Sequence, residues 1–350
     1  MSFARKLFSV IFLEMTFPTE NHLYTPLEPK QLRQYIDSES IFLSHRRARQ
    51  AASEVKGSMR WRPQNGAEYL IRQTVGNAQK SLGPRSEKTE KIFAKFTARK
   101  NETTRRLASI STALEDQQRM NKALRVGRVP EIVVKVLSAL ERQSLADNFV
   151  TIGTHSLYAY ETACGVRVTA DAFATGDTDL LFDSRKRLSF VAKIKETDNS
   201  FIAALRKADP TFRVLEDQKQ TAENDDGFQI DVVRRSTVEG DPHPLRMSDD
   251  EEDLWAVQID TGNKILGAER FSQMVVSPTG HMAMMHTMHP MTFVAIKREL
   301  TRSDWRDPKK RVKDGVQADL VEHLVQTHMP HYKRVPGGVD EVPPDERHRG

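Results

Sequence analysis

The sequence predicts an α/β (α+β) chain in which a mixed β-sheet is flanked by helices, with a helical N-terminal region and further helices at the C-terminus. Three observations support this class. Residues 228–233 alternate apolar and polar side chains, as a strand with one buried face does, and residues 177–183 are interpreted as a second strand whose successive residues point to opposite faces. Residues 131–145 carry apolar side chains at helical spacing and lead into an apolar run at 149–152. Helices that alternate with strands in this way are typical of an α/β sheet.

The composition is that of a soluble globular protein. Of the 350 residues, 38% are hydrophobic and 29% are charged, and the net charge is only +5. This balance excludes a highly charged disordered chain. The single cysteine, Cys164, excludes an intrachain disulfide and favours a reducing compartment. No stretch approaches the ~20 apolar residues of a membrane-spanning helix, so we expect a cytoplasmic protein with no membrane partner.

Residues 1–43 are predicted to form a disordered extension. They lack a sustained apolar periodicity and therefore bury little surface. The short apolar run at 8–13 follows Arg5 and Lys6, as in a signal peptide, but Glu14 ends it and no small-residue cleavage site follows. We therefore expect a protein that starts near Ser44 to fold.

Residues 44–145 are predicted to form a helical N-terminal region. A helical pattern resumes at 67–75, and 89–124 form one long helix or a helical pair. The many cations of 89–124 favour a solvated helix face, with contact to nucleic acid as the alternative. Between these segments, Gly83 and Pro84 predict a turn that carries Arg85.

Residues 146–240 are predicted to form the sheet core, and residues 241–330 an α/β extension that ends in helices. In the core, we expect a second strand at 188–194 and a helix at 200–208. The later segment has three short strand patterns and helices that begin at Pro290 and near Lys309. Residues 331–350 are rich in Pro, Gly and charge and are predicted to be a disordered tail.

Three histidines near the end of the chain invite a metal interpretation, which their spacing does not favour. His281, His286 and His289 have no Cys partners and no His-Glu-x-x-His frame. We interpret them as turn and core residues.

Three aspartates on predicted strands indicate a metal site. Asp177 and Asp179 project from the same strand face, and Asp231 lies in the middle of an apolar strand. Two carboxylates 4 Å apart repel by roughly 4 kcal/mol at an effective dielectric of 20. A divalent cation such as Mg²⁺ or Mn²⁺ offsets this repulsion, because both ions prefer oxygen ligands.

The residues before this acidic strand suit the binding of phosphates. Gly153 permits a tight turn after the apolar run, and a helical pattern begins at Ser156. Because the N–H groups of a first helical turn attract anions, we expect Gly153, Thr154 and Ser156 to lie close to phosphate oxygens.

Together, the Gly turn before a helix, the Asp-x-Asp strand and the later strand Asp resemble the polymerase-beta-type nucleotidyltransferase superfamily. The chain is also similar to a bacterial nucleotidyltransferase-fold family related to AbiEii-type toxins. This wider resemblance covers roughly residues 55–325. Its elements are Ser81-Leu82-Gly83-Pro84-Arg85-Ser86, Gly153-Thr154-His155-Ser156-Leu157-Tyr158-Ala159-Tyr160-Glu161, Thr175-Gly176-Asp177-Thr178-Asp179 and the helices of 297–318.

The resemblance implies metal-dependent transfer of a nucleoside monophosphate from a nucleoside triphosphate (NTP) to an acceptor. Asp177, Asp179 and Asp231 would be the catalytic metal ligands. The nucleotide would be bound by Gly153, Thr154, Ser156, Lys297 and Arg85. The first motif departs from the pattern of many relatives, since Thr154 replaces a second Gly and His155 stands in place of a small hydroxyl residue.

Several alternatives remain open from the sequence. The acceptor is RNA, a protein or a small molecule, and the resemblance allows a toxin with an antitoxin partner. A catalytically inactive module that binds nucleotide or nucleic acid is the rival function, but an inactive copy need not retain three costly carboxylates. For single residues, the alternatives are a solvated loop for Arg85 and a surface salt bridge for Lys297.

Overall fold

A computed structural model of the chain describes residues 23–169, 176–197, 200–237 and 244–333. The helices of these ranges are α1 (Pro29–Glu54), α2 (Glu87–Ala123), α3 (Glu131–Arg142), α4 (Ser156–Cys164), α5 (Arg187–Thr197), α6 (Phe201–Arg206), α7 (Gly262–Gly267), α8 (Pro290–Thr301) and α9 (Pro308–Thr327). The strands are β1 (Tyr24–Pro26), β2 (Ser58–Gln64), β3 (Ala67–Gln73), β4 (Gln79–Pro84), β5 (Phe149–Ile152), β6 (Val166–Val168), β7 (Asp177–Phe182), β8 (Arg213–Val214), β9 (Thr221–Glu223), β10 (Gln229–Arg235), β11 (Leu245–Arg246), β12 (Trp255–Ile259), β13 (Phe271–Val276) and β14 (Met282–Thr287).

The central sheet is mixed, which confirms the predicted fold class. Its strands lie in the order β11-β12-β10-β7-β5-β14-β13, and β8 and β9 continue from β10. Strand β7 is parallel to β10 and antiparallel to β5. Two smaller sheets, β1-β6 and β2-β3-β4, lie apart from it. Among the helices of the described ranges, none has both the length and the apolar composition that a bilayer span requires.

Buried side chains lie on both faces of the central sheet. One cluster joins α3, α4, α8 and α9 to residues such as Leu181 and Val275. A second cluster joins α5 and α6 to residues such as Leu180 and Phe182. Because Leu180 and Leu181 are neighbours that point to opposite faces, both faces of β7 are covered and the strand is fixed at the centre of the fold.

Three secondary-structure predictions are wrong. Gly83 and Pro84, for which a turn was predicted, are the last residues of β4. In the segment 67–75, residues 67–73 form β3 rather than a helix, because Asn65 (φ 51°) and Gly66 (φ 76°) make a tight hairpin turn after β2. Residues 188–194 lie in α5 rather than in a strand. Leu188 is 90% exposed whereas Ile194 is fully buried, so the apolar spacing there follows a helix.

The prediction of a disordered segment over 1–43 also differs from the structure where residues are described. Helix α1 begins at Pro29, and the Tyr35 hydroxyl donates a hydrogen bond of 2.7 Å to the Met274 carbonyl of the central sheet. The contact with α2 is partly polar, since Ser38 Oγ donates to Asn121 Oδ1 at 2.7 Å. Buried polar residues of this kind leave no apolar periodicity in the sequence. Residues 1–22 and 334–350, which hold most of the two predicted disordered ends, lie outside the described residues.

We therefore expect a chain that starts at Ser44 to be strongly destabilised, contrary to the expectation from the sequence. The truncation removes Tyr35 and Phe42 from the cluster that they form with Met274, and Oδ1 of Asn121 in α2 loses its two donors, Gln34 and Ser38. Thermal melting of chains that start at Leu23 and at Ser44 measures the difference. Equal melting temperatures would show that the first half of α1 is dispensable.

Candidate metal and nucleotide site

The three predicted aspartates converge at one place on the central sheet. Strands β7 and β10 run parallel with Asp179 beside Asp231, and Asp177 lies two residues earlier on the same face of β7. Carboxylate oxygens of all three lie within 4.8 Å of one another. Among the described residues, this is the only group of three or more acidic, His or Cys side chains close enough to share a metal ion. We call these residues the acidic triad.

The acidic triad is electrostatically strained without a cation. Burial, followed by the nearby charges of Asp177 and Asp231, raises the pKa of Asp179 to about 7, although Lys297 and Arg306 act in the opposite direction. Burial also raises the pKa of Asp231, against a hydrogen bond of 2.5 Å from Thr221 Oγ1. A set of three clustered oxygen donors suits a hard divalent ion such as Mg²⁺ or Mn²⁺.

The raised pKa of Asp179 predicts a pH-dependent loss of stability in metal-free buffer. A carboxyl whose pKa rises from 3.8 to about 7 on folding contributes fully to stability below about pH 4 and loses that contribution as the pH approaches 7. The Asp179→Asn protein has no such group, so its melting temperature in EDTA should exceed that of the parent more at pH 8 than at pH 5. A difference in melting temperature between the two proteins that does not change with pH would contradict repulsion between Asp179 and its neighbouring carboxylates.

Gly153 lies directly against the acidic triad. It has a left-handed backbone conformation (φ 68°), and a Cβ at this position would lie 2.6 Å from Oδ2 of Asp179. A short 3₁₀ turn, Gly153–His155, then leads into α4. Glycine is therefore required here both by the conformation of the turn and by the close approach of the carboxylate.

The residues after Gly153 are held by the protein itself. Ser156 is fully buried and donates a hydrogen bond of 3.3 Å to the Thr151 carbonyl, whereas Thr154 Oγ1 accepts one of 3.3 Å from Gln317 of α9. His155 packs edge-on against Phe228, and burial lowers its pKa to about 4. A neutral, packed ring explains how His155 is accommodated where a small residue was expected.

Lys297 forms a buried ion pair rather than a surface salt bridge. Its Nζ lies 2.6 Å from one oxygen of Asp314, and Arg306 Nε lies 2.9 Å from the other. Lys297 is only 7% exposed, and burial lowers its pKa while Asp314 opposes that effect. Asp314 thus holds both cations. No feature of the sequence indicated that Arg306 would join it.

A cleft connects these cations to the acidic triad. It has a volume of about 430 Å³, and its lining includes Gly153, Asp179, Lys297, Trp305 and Arg306. Apolar side chains of β10, β12 and α8 form much of the remaining wall. A cleft with the Asp179 carboxylate at one point, cations nearby and an apolar wall suits a nucleotide bound with a divalent ion.

Arg85 lies instead directly after β4 of the small sheet β2-β3-β4. Its guanidinium is 2.5 Å from Glu68, 2.8 Å from Glu90 and 5.1 Å from the centre of the Trp61 ring. Within the described part of the chain, the lining of the cleft does not include Arg85.

Thr221 was missed by the sequence reasoning. It lies on β9, opposite Asp231. No motif distinguishes this threonine, because its proximity to Asp231 depends on the pairing of β9 with β10.

Comparison with known proteins agrees with this geometry. A family model described as Nucleotidyltransferase matches residues 131–334, which is more than half of the chain and contains the acidic triad, Gly153 and Lys297. Neither the curated proteins nor the solved structures give a significant match. The chain belongs to this nucleotidyltransferase family.

Proposed function

We propose that the protein transfers a nucleoside monophosphate from an NTP to a hydroxyl group of an acceptor. The observation that supports this most strongly is the position of the acidic triad, whose Asp179 lies on the same cleft as Lys297 and Arg306. Membership of the nucleotidyltransferase family implies the NTP substrate. The acceptor oxygen would bond to the α-phosphorus, the bond from that phosphorus to the bridging oxygen would break, and pyrophosphate would leave.

The residues of the acidic triad would divide the work. Bound divalent ions supply charge neutralisation for the reacting and departing oxygens. Asp177 and Asp179 would hold these ions. Asp231 would complete the metal site and accept the proton of the acceptor hydroxyl, with Thr221 holding its carboxylate in place.

The cations of the cleft would bind the β- and γ-phosphates. Lys297 and Arg306 share the Asp314 carboxylate, which fixes both and keeps positive charge in a buried place. Gly153 and Thr154 would lie under the triphosphate, and Ser156 would support their turn from within the protein. Arg85 would reach a phosphate only from the small sheet, so we assign it no direct role in the cleft.

Replacing Lys297 with Met is expected to weaken NTP binding by roughly 1.5–3 kcal/mol, the range for hydrogen bonds to charged groups. The stability of the protein should also fall, because a buried ion pair is broken. The loss should not exceed roughly 3 kcal/mol, since Arg306 still pairs with Asp314. Titration calorimetry is carried out with an NTP and with the monophosphate, which lacks the β- and γ-oxygens. The comparison separates a loss of contacts to the triphosphate from a general loss of ligand binding by a destabilised protein. Equal losses for both ligands would contradict a role in triphosphate binding.

The resemblance to AbiEii-type toxins supports a finer proposal, in which the enzyme is a toxin controlled by an antitoxin. A neighbouring gene that encodes a small protein able to block the activity would support it. An isolated gene whose expression does not slow growth would contradict it.

The transfer reaction is tested with two labels on the same NTP. Incubation with Mg²⁺ or Mn²⁺ and cellular RNA or protein should move the α-phosphate label onto an acceptor, and the γ-phosphate label should appear in pyrophosphate. Transfer of the γ-label would indicate a kinase. Tight NTP binding without movement of either label would favour the inactive binding module.

A further inference from the structure

We propose that the small sheet β2-β3-β4 and the N-terminal half of α2 form a docking surface for the phosphate backbone of nucleic acid. We define this basic arm as residues 56–106. Docking itself requires no catalysis. If the docked nucleic acid is also the acceptor, that role rests on the proposed transfer reaction.

The helices α1 and α2 place the basic arm at one end of a helical pair. They run antiparallel, with Gln34 bonded to Asn121 near one end and Glu54 paired with Arg99 near the other. Helix α1 ends at Glu54, whereas α2 has twelve residues before Arg99. At 1.5 Å per residue, about 18 Å of α2 lies beyond the end of α1.

The small sheet packs on this free part of α2. The rings of Trp61 and Phe93 lie 5.8 Å apart, and the Arg72 guanidinium is 4.2 Å from the centre of the Phe96 ring. Leu70 is fully buried. Lys100 Nζ donates a hydrogen bond of 2.5 Å to the Gly57 carbonyl. The basic arm is therefore a packed sheet-and-helix unit with a defined surface.

The basic arm carries a large positive net charge, whereas the remaining chain is slightly negative. Residues 56–106 contain thirteen Lys and Arg against four Glu, a net charge of +9, whereas the whole chain carries +5. The remaining residues therefore sum to −4. Ordinary solvated surfaces intersperse both signs, so a local excess of this size indicates a polyanionic partner.

The cations of α2 are arranged in a line. Helical spacing puts Lys88, Lys91, Lys95, Arg99 and Arg106 on one face, and all five are exposed. Among the described residues, Lys88, Lys95 and Arg106 take part in none of the ion pairs, which leaves their charges available. The line extends for about 27 Å at the helical rise of 1.5 Å per residue. A straight row of cations of this length suits the regular spacing of phosphates along a nucleic acid strand.

The basic arm also lies outside the part of the chain that defines the family. The family model matches residues 131–334, and the acidic triad and cleft lie within that range. The cations of the arm are thus not required for the chemistry common to the family, and substrate docking gives them a function.

Binding of a fluorescein-labelled RNA hairpin to the full-length protein in EDTA tests the docking surface. The arm variant carries Lys88→Gln, Lys95→Gln and Arg106→Gln. The matched control carries Lys122→Gln, Lys219→Gln and Lys333→Gln, three exposed cations outside the arm. Glutamine has nearly the helix propensity of lysine and arginine, so both variants should fold, and thermal melting checks this. Anisotropy is measured from 50 to 200 mM KCl, with a DNA hairpin and an acidic peptide in parallel.

We expect the arm variant to bind the hairpin roughly tenfold more weakly than the parent at 100 mM KCl. The slope of log K against the logarithm of the salt concentration should be smaller in magnitude than that of the parent by about 2–3. The control should change less than twofold. A preference for the RNA or the DNA hairpin identifies the polymer and supports nucleic acid docking either way.

Three results would overturn docking by the arm: equal losses in both triple variants, no hairpin binding by the parent, or equally tight binding of the acidic peptide. NTP binding provides an independent measurement of the cleft. Mg²⁺-dependent NTP binding should be the same in the arm variant and the parent, so failure of the transfer reaction and failure of docking are distinguishable.

Discussion

Asp179→Asn should lower nucleotidyl transfer by roughly 10³-fold, because it removes a metal ligand that would be worth several kcal/mol in the transition state. Asn keeps the size of the side chain, so the sheet should remain intact. Asp177→Asn and Asp231→Asn should have losses of similar size, since in the proposed mechanism the three carboxylates would act on shared ions. Initial rates of α-label transfer at saturating NTP measure the effect.

Asp226→Asn is the matched control for this series. Asp226 is an exposed aspartate in the turn that precedes β10, so the substitution removes the same charge a few residues from Asp231. Its transfer rate should stay within about twofold of the parent, as expected for a surface change. If Asp226→Asn reduced the rate as much as Asp179→Asn, the activity would depend on general acidity rather than on the acidic triad.

Gly153→Ala should reduce transfer by roughly 100-fold, the effect of displacing a catalytic group by about 1 Å. The new Cβ would lie 2.6 Å from Asp179 Oδ2, so the carboxylate or the turn has to move. Because alanine is strained in the left-handed conformation of this turn, the variant should also lose about 1–2 kcal/mol of stability. Transfer rates and the free energy of unfolding in urea separate these two effects.

Gly227→Ala provides a control with the same backbone strain. Gly227 has a φ of 76°, and a Cβ there would meet no atom within 4 Å. Both variants should lose the stability that the left-handed backbone costs, and Gly153→Ala should lose more because of its contact with Asp179; only Gly153→Ala should lose activity and metal affinity. A Gly153→Ala protein with full activity would show that close contact with the Asp179 carboxylate is unimportant.

Part of the acidic triad was predictable from the sequence, because the proximity of Asp177 and Asp179 depends only on local alternation. The two-residue spacing of Asp177 and Asp179 is enough to put both on one strand face, and an aspartate amid the apolar residues around Asp231 is costly without a partner. The meeting of Asp231 with Asp179 depends instead on the parallel register of β7 and β10. That register follows from long-range packing, which a single sequence does not reveal.

The errors in the fold prediction have separate physical causes. The Asn65-Gly66 turn is a strong hairpin signal that the apparent helical pattern of 67–75 obscured. In α5, Leu188 is 90% exposed although it begins the segment for which a strand was predicted. In α1, burial of Gln34 and Ser38 against Asn121 replaced the apolar stripe on which helix prediction depends.

Arg306 shows a different limit of sequence reasoning. Its contact with Asp314 depends on the packing of α8 against α9 and on the turn between them. A surface salt bridge and a buried ion pair look the same in the sequence, so the burial of Lys297 was also beyond prediction.

Mn²⁺ binding followed by electron paramagnetic resonance tests the acidic triad most directly. The protein is titrated with Mn²⁺ in the presence of a non-hydrolysable NTP analogue, and the signal of free Mn²⁺ is recorded for the parent and for the Asp177→Asn, Asp179→Asn double variant. We predict that the parent removes Mn²⁺ from solution beyond what the analogue alone binds, and that the double variant does not. Equal Mn²⁺ binding by the two proteins would contradict a metal site at Asp177, Asp179 and Asp231.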